Sequence, residues 1–269
     1  MEQLKSTILN EIHSIEKTTK EFCNRFHFED IRISIMDGFY ANICRYYTLL
    51  DLEKTEIFYK SYQDILRVQN VEKYLERHRI NHCNISNSSL IVNTWSEFEL
   101  FISTFSEIVL PQENIDKILN RNYLDLSKKL NNELKENLEG YEFQELKSIE
   151  RLKIKNYHLV PSMNKIESMM KQIKNTYPNK EEYLIDKDFL NNYGRLRNCI
   201  HSNYVYHGNQ RIEYNHNNIN YVFEPGEIIT ILPDLKTIYI DNSIALRKIC
   251  LRIINNIEHK ELIKDPSLI

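Results

Sequence analysis

The feature that most constrains the fold is the stretch 90–110, in which apolar side chains recur with the period of an α-helix. Three phenylalanines, the only tryptophan of the chain, and several isoleucines and valines fall on this period, and Pro111 ends it. A helix that carries so many large apolar side chains is stable only when other elements cover it. The stretch therefore predicts a central packing helix.

Other parts of the chain show weaker helical patterns around this stretch. Apolar residues recur at spacings of three, four or seven in 4–26, 33–50, 54–79, 163–173, 187–202 and 246–257. The charged segment 112–157 is predicted to be surface-exposed and helical in pieces. Five glycines and six prolines are too few for an all-β protein with many tight turns. These patterns predict a mainly α protein.

One polar stretch interrupts the helical patterns in the first third of the chain. Residues 81–89 are rich in Asn and Ser, with Ser88 or Ser89 as the N-cap of the next helix. We therefore predict a boundary here, with an N-terminal helical extension at 1–82 and a helical domain at 83–269.

The apolar period changes from 3.6 to 2 after residue 207. Short strands are predicted at 211–214, 219–223, 227–231 and 237–240, with turns at 216–218 and 224–226. Asp241, Asn242 or Ser243 then caps the last helix. The domain thus carries a small β-hairpin or meander insertion at about 207–240.

Composition narrows the function classes. With 35 basic and 38 acidic side chains, the net charge of −3 gives no global positive field, so nucleic-acid binding would need a local patch. Five scattered cysteines without a CxxC pair are typical of a reducing compartment. No apolar run reaches the roughly 18 residues of a membrane span, and no signal peptide opens the chain. We predict a cytoplasmic protein with no membrane contact, no cofactor and no metal. His78 and His82 are four residues apart and could bind a metal ion on a helix, but 81–84 has the composition of a loop, and His82 and Cys83 lack companions in sequence.

The strongest candidate site is the segment 194–204, at the end of a predicted helix. Arg197 and His201 are four residues apart, so a helix places them on one face, whereas Arg195 points to the far side. Histidine transfers protons near neutral pH, and arginine binds phosphate oxygens while it stays charged. Gly194 lies in the same stripe, where a glycine costs helix stability, and either a close contact or accident accounts for it.

The layout of residues 85–260 resembles the HEPN superfamily. The resemblance is carried by the all-helical core, a helix ending in Arg-Asn-x-x-His-x-Asn, and a hairpin before the last helix. In that family an arginine, usually followed by a polar residue, precedes a histidine by four to six intervening residues.

This chain departs from the family spacing. Arg197 is followed by Asn198, but only three residues separate it from His201. Arg195 has a permitted gap of five residues but is followed by Leu196. Side-chain direction favours Arg197 as the motif arginine, while a kink near Gly194 or unwinding before His201 would restore Arg195.

The resemblance implies a metal-independent endoribonuclease that acts as a homodimer through its motif helices. His201 would then be general base or acid, Arg197 would stabilise the phosphorane, and Asn198 would orient the phosphate or the histidine. The products would carry 2′,3′-cyclic phosphates. The resemblance also implies RNA as substrate, a toxin or anti-phage role, and an antitoxin or defence-system partner.

Nearby residues extend the predicted site. Asn203, Tyr204 and Tyr206 are predicted to bind substrate, with a base stacked on a tyrosine. His207 and His216 are further candidates at the rim of the site.

Two non-enzymatic alternatives remain. The first is a HEPN-like dimerisation or RNA-binding module that has lost activity. The second is a structural protein whose N-terminal helices dock a partner. In both, an arginine and a histidine near a helix C-terminus interact with the last carbonyls without catalysis.

Overall fold

The computed structural model describes residues 2–52, 71–137, 162–232 and 237–266. Within these ranges the chain forms seven α-helices and one three-stranded sheet, which confirms the predicted mainly α fold with a small β insertion. The helices are α1 (Glu2–Cys23), α2 (Ile31–Leu52), α3 (Val71–Val109), α4 (Gln112–Asn137), α5 (Ser162–Gln172), α6 (Lys180–His201) and α7 (Ile238–Asn256). The strands are β1 (Ile212–His216), β2 (Ile219–Phe223) and β3 (Thr230–Leu232).

Helix α3 is the central packing element, as its apolar period predicts. It contacts α2, α5, α6 and α7, and Pro111 follows its last turn. Large side chains along the stretch 90–110 are buried, among them Leu90, Ile91, Trp95, Phe98, Phe101, Ile102 and Phe105. At roughly 25 cal/mol per Å² of buried apolar surface, a stripe of this size dominates the local free energy of folding.

The predicted helix break at 81–89 is wrong, because α3 runs through it. Asn and Ser each lower helix stability by about 0.5 kcal/mol relative to alanine. Contacts with other elements offset this cost. Asn87 Oδ1 accepts a hydrogen bond from Tyr46 Oη on α2 at 2.8 Å, and Ser88 Oγ hydrogen-bonds Tyr204 Oη. The predicted boundary at residue 82 therefore falls inside a helix.

The first two helices share one hydrophobic core with the rest of the chain. Helix α1 packs on α2 and α7, and the apolar stripe predicted for 4–26 is buried or partly buried there. A buried ion pair joins α1 to α7, since Arg247 Nη2 donates to Glu11 Oε2 at 3.0 Å and to Ser14 Oγ at 2.9 Å. The N-terminal helices are thus packed against the last helix of the chain.

Helix α4 forms the described part of the charged segment 112–157, and α5 follows it along the chain. Helix α4 is continuous over Gln112–Asn137, where separate helical pieces were predicted. The pieces predicted beyond residue 137 lie outside the described residues. Most of the helix predicted at 54–79 also lies outside them. Helix α5 buries the predicted apolar stripe, namely Ile166, Met169, Met170 and Ile173 just after its end.

The sheet is an antiparallel meander in the order β1-β2-β3. Asn217 and Asn218 have φ values of 50° and 63°, the left-handed pair that a two-residue hairpin turn requires. The strand predicted at 237–240 is wrong, because α7 already begins at Ile238. Isoleucines favour strands on propensity alone, but here Ile238 and Ile240 are buried on the helix.

The predicted cap of the last helix is also displaced. Asp241, Asn242 and Ser243 lie inside α7, and Thr237 occupies the N-cap position. Asn242 is buried, and its Nδ2 donates to Tyr221 Oη on β2 at 3.0 Å. Asn242, which the sequence predicted as a possible N-cap, therefore joins the sheet to the last helix through a hydrogen bond.

Candidate functional site

The predicted site lies at the C-terminal end of α6. This helix begins at Lys180, seven residues before the predicted start at 187, because Asn179 caps it: Asn179 Oδ1 accepts from the backbone N–H of Glu182 at 2.8 Å. Two acidic side chains in the first turn complement the helix dipole. The predicted inward face is buried at Phe189, Leu190, Tyr193 and Leu196 and partly buried at Ile200.

Gly194 lies close to the side chains of Trp95 on α3 and Met163 on α5. A Cβ at this position would lie 3.2 Å from Trp95 Cζ2 and 3.7 Å from Met163 Sδ. The Trp95 ring is also stacked on Tyr193, with centroids 5.4 Å apart. Gly194 is therefore explained by packing inside the chain.

Arg197 is held loosely on the side of α6 that faces α3. Its Nη1 donates to Asn198 Oδ1 at 3.1 Å, and its Nη2 lies 3.8 Å from Glu99 Oε2 on α3. The two charged side chains are 29% and 30% exposed, so their mutual attraction is weakened by solvent. Arg197 Nε is buried without a hydrogen-bond partner in the part of the chain that the structure describes. The guanidinium thus keeps a donor that is not engaged.

His201 is the last helical residue of α6 and is exposed. The C-cap residue Ser202 donates its backbone N–H to Asn198 O at 3.2 Å and to Cys199 O at 2.9 Å. Among the described residues, nothing hydrogen-bonds the imidazole or pairs with it. On a regular helix the Cβ atoms of Arg197 and His201 are about 6 Å apart. Their side chains can therefore converge on one small group such as a phosphate.

Arg195 occupies a different side of α6. Its Nη1 donates to Asn192 Oδ1 at 2.9 Å, and Asn192 Nδ2 donates to Asp188 O at 2.7 Å. Because α6 has no break at Gly194, Arg195 is turned about 120° from His201, whereas Arg197 is turned about 40°. The helix brings Arg197 and His201 together and leaves Arg195 apart.

The residues after α6 form a strained, well-packed turn. Asn203 and Tyr204 have φ values of 55° and 67°, a conformation that costs about 1–3 kcal/mol for such residues. The backbone N–H of Tyr204 donates to Cys199 O at 2.6 Å, while its hydroxyl meets Ser88. Tyr206 packs edge-on against Phe223, with centroids 5.5 Å apart. Of the three predicted substrate-binding side chains, only that of Asn203 is exposed, and both tyrosines also serve packing.

Cys199 lies beside the site but is not a suitable nucleophile. It is buried on the inner side of α6, and burial raises the pKa of its thiol to about 11. The side chain therefore stays a neutral thiol near pH 7.

A second polar cluster, at the opposite end of α6, has no signal in the sequence. Asp186 Oδ2 accepts a hydrogen bond from Tyr177 Oη at 2.8 Å and lies 3.5 Å from Arg252 Nη1 on α7. Burial raises the pKa of Asp186 and lowers that of His216. These residues come from four separate segments, so no spacing rule unites them.

Of the two candidate rim histidines, His216 lies far from the motif end of α6. The ring of His216 lies against Phe189, with centroids 4.8 Å apart. Phe189 precedes His201 by about 18 Å along α6. His207 is exposed in the loop after the turn.

The described ranges also bear on metal ligation and on membrane insertion. In the described ranges, no three His, Cys, Asp or Glu side chains lie close enough together to share a metal ion. His78 and His82 lie in α3, and their side chains fall outside the described part. No helix of the described ranges has the length and apolarity needed to cross a bilayer.

Comparison with protein-family models, with curated proteins and with solved structures finds no match to this chain. The resemblance to the HEPN superfamily therefore rests on the motif residues and the element layout.

Proposed function

We propose that this chain is an endoribonuclease of the HEPN type that cleaves RNA without a metal ion. The observation that carries the proposal is the placement of Arg197 and His201. They lie one turn apart at the C-terminal end of α6, where His201 is exposed and Arg197 is partly exposed and only loosely paired with Glu99. Phosphodiester transfer needs a group that moves protons and a group that stabilises negative charge, and an imidazole beside a permanently charged guanidinium provides both.

The reaction would proceed by attack of the ribose 2′-oxygen on the adjacent phosphorus. His201 would take the proton of the 2′-hydroxyl as the new P–O bond forms. Arg197 would stabilise the charge on the phosphorane oxygens, and Asn198, which already contacts Arg197, would orient the phosphate. The bond to the 5′-oxygen then breaks, and that oxygen receives a proton from the histidine of a second copy of the chain. The products are a 2′,3′-cyclic phosphate and a free 5′-hydroxyl.

The chemistry favours a homodimer. One imidazole cannot remove the 2′-proton and protonate the leaving oxygen in the same transition state. Two copies of α6 meeting at their C-terminal ends would supply two histidines and two arginines to one cleft. Exposure of both Asn198 and His201 leaves this end of α6 open to a second copy.

A toxin or anti-phage role, with an antitoxin or defence-system partner, completes the proposal. It follows from the resemblance to the HEPN superfamily alone. A cytoplasmic location belongs with it, because the RNA substrate is there.

The second candidate is a HEPN-like dimerisation or RNA-binding module without activity. Two observations favour it: the gap of only three residues between Arg197 and His201, and the proximity of Glu99, which competes with a phosphate for the guanidinium.

Cleavage of total RNA in EDTA by the purified protein separates the two. We expect wild type and Arg195→Ala to cleave RNA, to leave DNA of the same sequence intact and to produce 2′,3′-cyclic phosphate ends. We expect Arg197→Ala and His201→Ala to lose at least about 100-fold in rate, a typical value for a general acid–base or charge-stabilising group.

Arg195→Ala is the matched control, since it removes the same side chain from the same helix. Intact RNA with wild type, together with retained RNA binding, would contradict the enzyme and support the module.

A further inference from the structure

A groove between α4 and α5 has the composition of an anion-binding site. It encloses a cavity of about 350 Å³, the size range of small-ligand sites. Its polar lining consists of Asn114, Lys117, Arg121, Ser168, Lys171 and Gln172. Three of these side chains are cationic, two are amides and one is a hydroxyl. Among the described residues that line the groove, none carries a carboxylate.

Two of the three cations are uncommitted. Lys117 Nζ lies 2.6 Å from Glu113 Oε1, but both side chains are more than two-thirds exposed, so the pair contributes little. Within the described residues, neither Arg121 nor Lys171 has an ion pair. In a chain with a net charge of −3, the groove is a local concentration of positive charge that the described residues do not neutralise.

We infer that this groove binds a phosphate-bearing ligand of nucleotide size. Arginine presents a planar fork that matches two phosphate oxygens, and lysine adds a mobile point charge. The amides of Asn114 and Gln172 and the Ser168 hydroxyl supply neutral donors for the remaining oxygens. The same chemistry serves a free nucleotide or the phosphates of an RNA strand.

The groove is separate from the motif end of α6. Helix α5 runs antiparallel to α6, because Met163 lies at Gly194 and Glu167 lies 3.4 Å from Lys187. From that level, Lys171 is about 12 Å away in one direction and His201 about 10 Å in the other. The groove thus lies about 20 Å from the proposed cleavage site and cannot be the cleavage cleft. Occupation by an RNA strand rests on the proposed function, whereas occupation by a nucleotide does not.

Binding of two probes tests the inference and identifies the source of the phosphate. The probes are adenosine diphosphate and a 12-nucleotide 2′-O-methyl RNA, which cannot be cleaved through its 2′-position. We expect the Arg121→Glu/Lys171→Glu variant to bind at least one probe at least tenfold more weakly than wild type. For the RNA, the slope of log Kobs against log salt should fall by about 1.4, since each phosphate contact on a single strand contributes about 0.7.

The matched control is Lys17→Glu/Lys20→Glu on α1, which changes the net charge by the same amount at exposed positions. It should bind both probes as wild type does. Loss with the RNA alone identifies a strand as the ligand, and loss with the nucleotide identifies a free nucleotide. Equal affinities of the groove variant and the control for both probes would overturn the inference.

Acetylation of lysines in the wild-type protein gives a readout that does not depend on a folded variant. A bound probe should slow the acetylation of Lys171 and Lys117 severalfold and leave that of Lys20 unchanged. Unprotected groove lysines at saturating concentrations of both probes would overturn the inference. Neither assay measures cleavage, so a negative result here does not contradict the ribonuclease proposal. Likewise, intact RNA in the EDTA assay does not contradict phosphate binding in the groove.

Discussion

Arg32, where the N-terminal helices meet the C-terminal segment, and Arg197, at the end of α6, are placed in opposite electrostatic settings. Arg32 is 2% exposed, and each of its side-chain nitrogens donates a hydrogen bond. Its guanidinium is paired with Asp30, reaches the backbone carbonyl groups of His259 and Glu261, and lies 3.8 Å above the Phe26 ring. Four of its five N–H donors are thus used in hydrogen bonds inside the protein.

Arg197 is about one-third exposed and loosely paired with Glu99, and its Nε has no hydrogen-bond partner among the described residues. The difference separates a structural arginine from one that can bind a ligand. A fully satisfied buried arginine holds elements together, because any lost contact leaves a charge unpaired. A partly satisfied arginine at the surface can exchange a weak partner for a phosphate.

Alanine at the two positions should give the largest contrast. Arg32→Ala leaves the buried carboxylate of Asp30 without its partner, so we expect a loss of about 3–5 kcal/mol in the free energy of unfolding. Arg197→Ala should change the same quantity by less than about 0.5 kcal/mol. Urea unfolding followed by circular dichroism measures both. Similar losses at the two positions would remove the contrast.

Gly194→Ala tests how tightly the motif end of α6 is seated. Alanine gains about 1 kcal/mol of helix propensity, but the added methyl meets a Trp95 ring fixed by stacking on Tyr193, and overpacking costs about 1–3 kcal/mol. We expect a net loss of about 1 kcal/mol in the free energy of unfolding.

The same substitution in a Trp95→Phe background should cost less, because the ring atom nearest to the added methyl is gone. A stabilising effect of Gly194→Ala in the wild type would contradict this, because it would show that α6 and Trp95 can move apart at little cost.

Glu99→Gln should sharpen the assignment of Arg197 as a phosphate ligand. An exposed ion pair contributes up to about 1 kcal/mol, so removing the competing carboxylate should tighten RNA binding by up to about fivefold. The stability of the protein should hardly change. Fluorescence anisotropy with a labelled RNA measures the affinity, and Glu107→Gln, at another exposed position of α3, is the control. Weaker binding by Glu99→Gln would contradict the competition.

The smallest effect concerns pH at the other end of α6. Burial lowers the pKa of His216 although Asp186 and Asp241 oppose the shift, so the folded state favours the neutral ring. The neutral His216 ring contributes its full stability above the ordinary histidine pKa of about 6.5. This stability is lost as the pH falls through the lowered pKa of His216 in the folded state. Between pH 7.5 and 5.5, wild type should lose more free energy of unfolding than His216→Gln. Equal losses would contradict the shift.

Sequence periodicity was sufficient where a helix buries one face along its whole length. The stretch 90–110 and the stripe from Ile166 to Ile173 are confirmed because burial of large side chains outweighs local propensity there. The predictions are wrong where contacts between residues far apart in sequence determine the local structure. Asn87 and Ser88 stay helical through hydrogen bonds to Tyr46 and Tyr204, which lie far away in sequence.

The candidate site shows the same limit. Helix geometry alone placed Arg197 beside His201, because both lie on one element. The partner Glu99 and the packing role of Gly194 against Trp95 depend on how α3 meets α6, and no local pattern reports that. The groove between α4 and α5 likewise combines residues about 50 positions apart.

The most direct test of the account is the rate of RNA cleavage in EDTA by wild type and by His201→Ala at equal, verified folding. We expect cleavage by wild type to 2′,3′-cyclic phosphate ends and a loss of at least about 100-fold in the variant. Equal rates for the two proteins, or no cleavage by either, would contradict the claim that the end of α6 is a ribonuclease site.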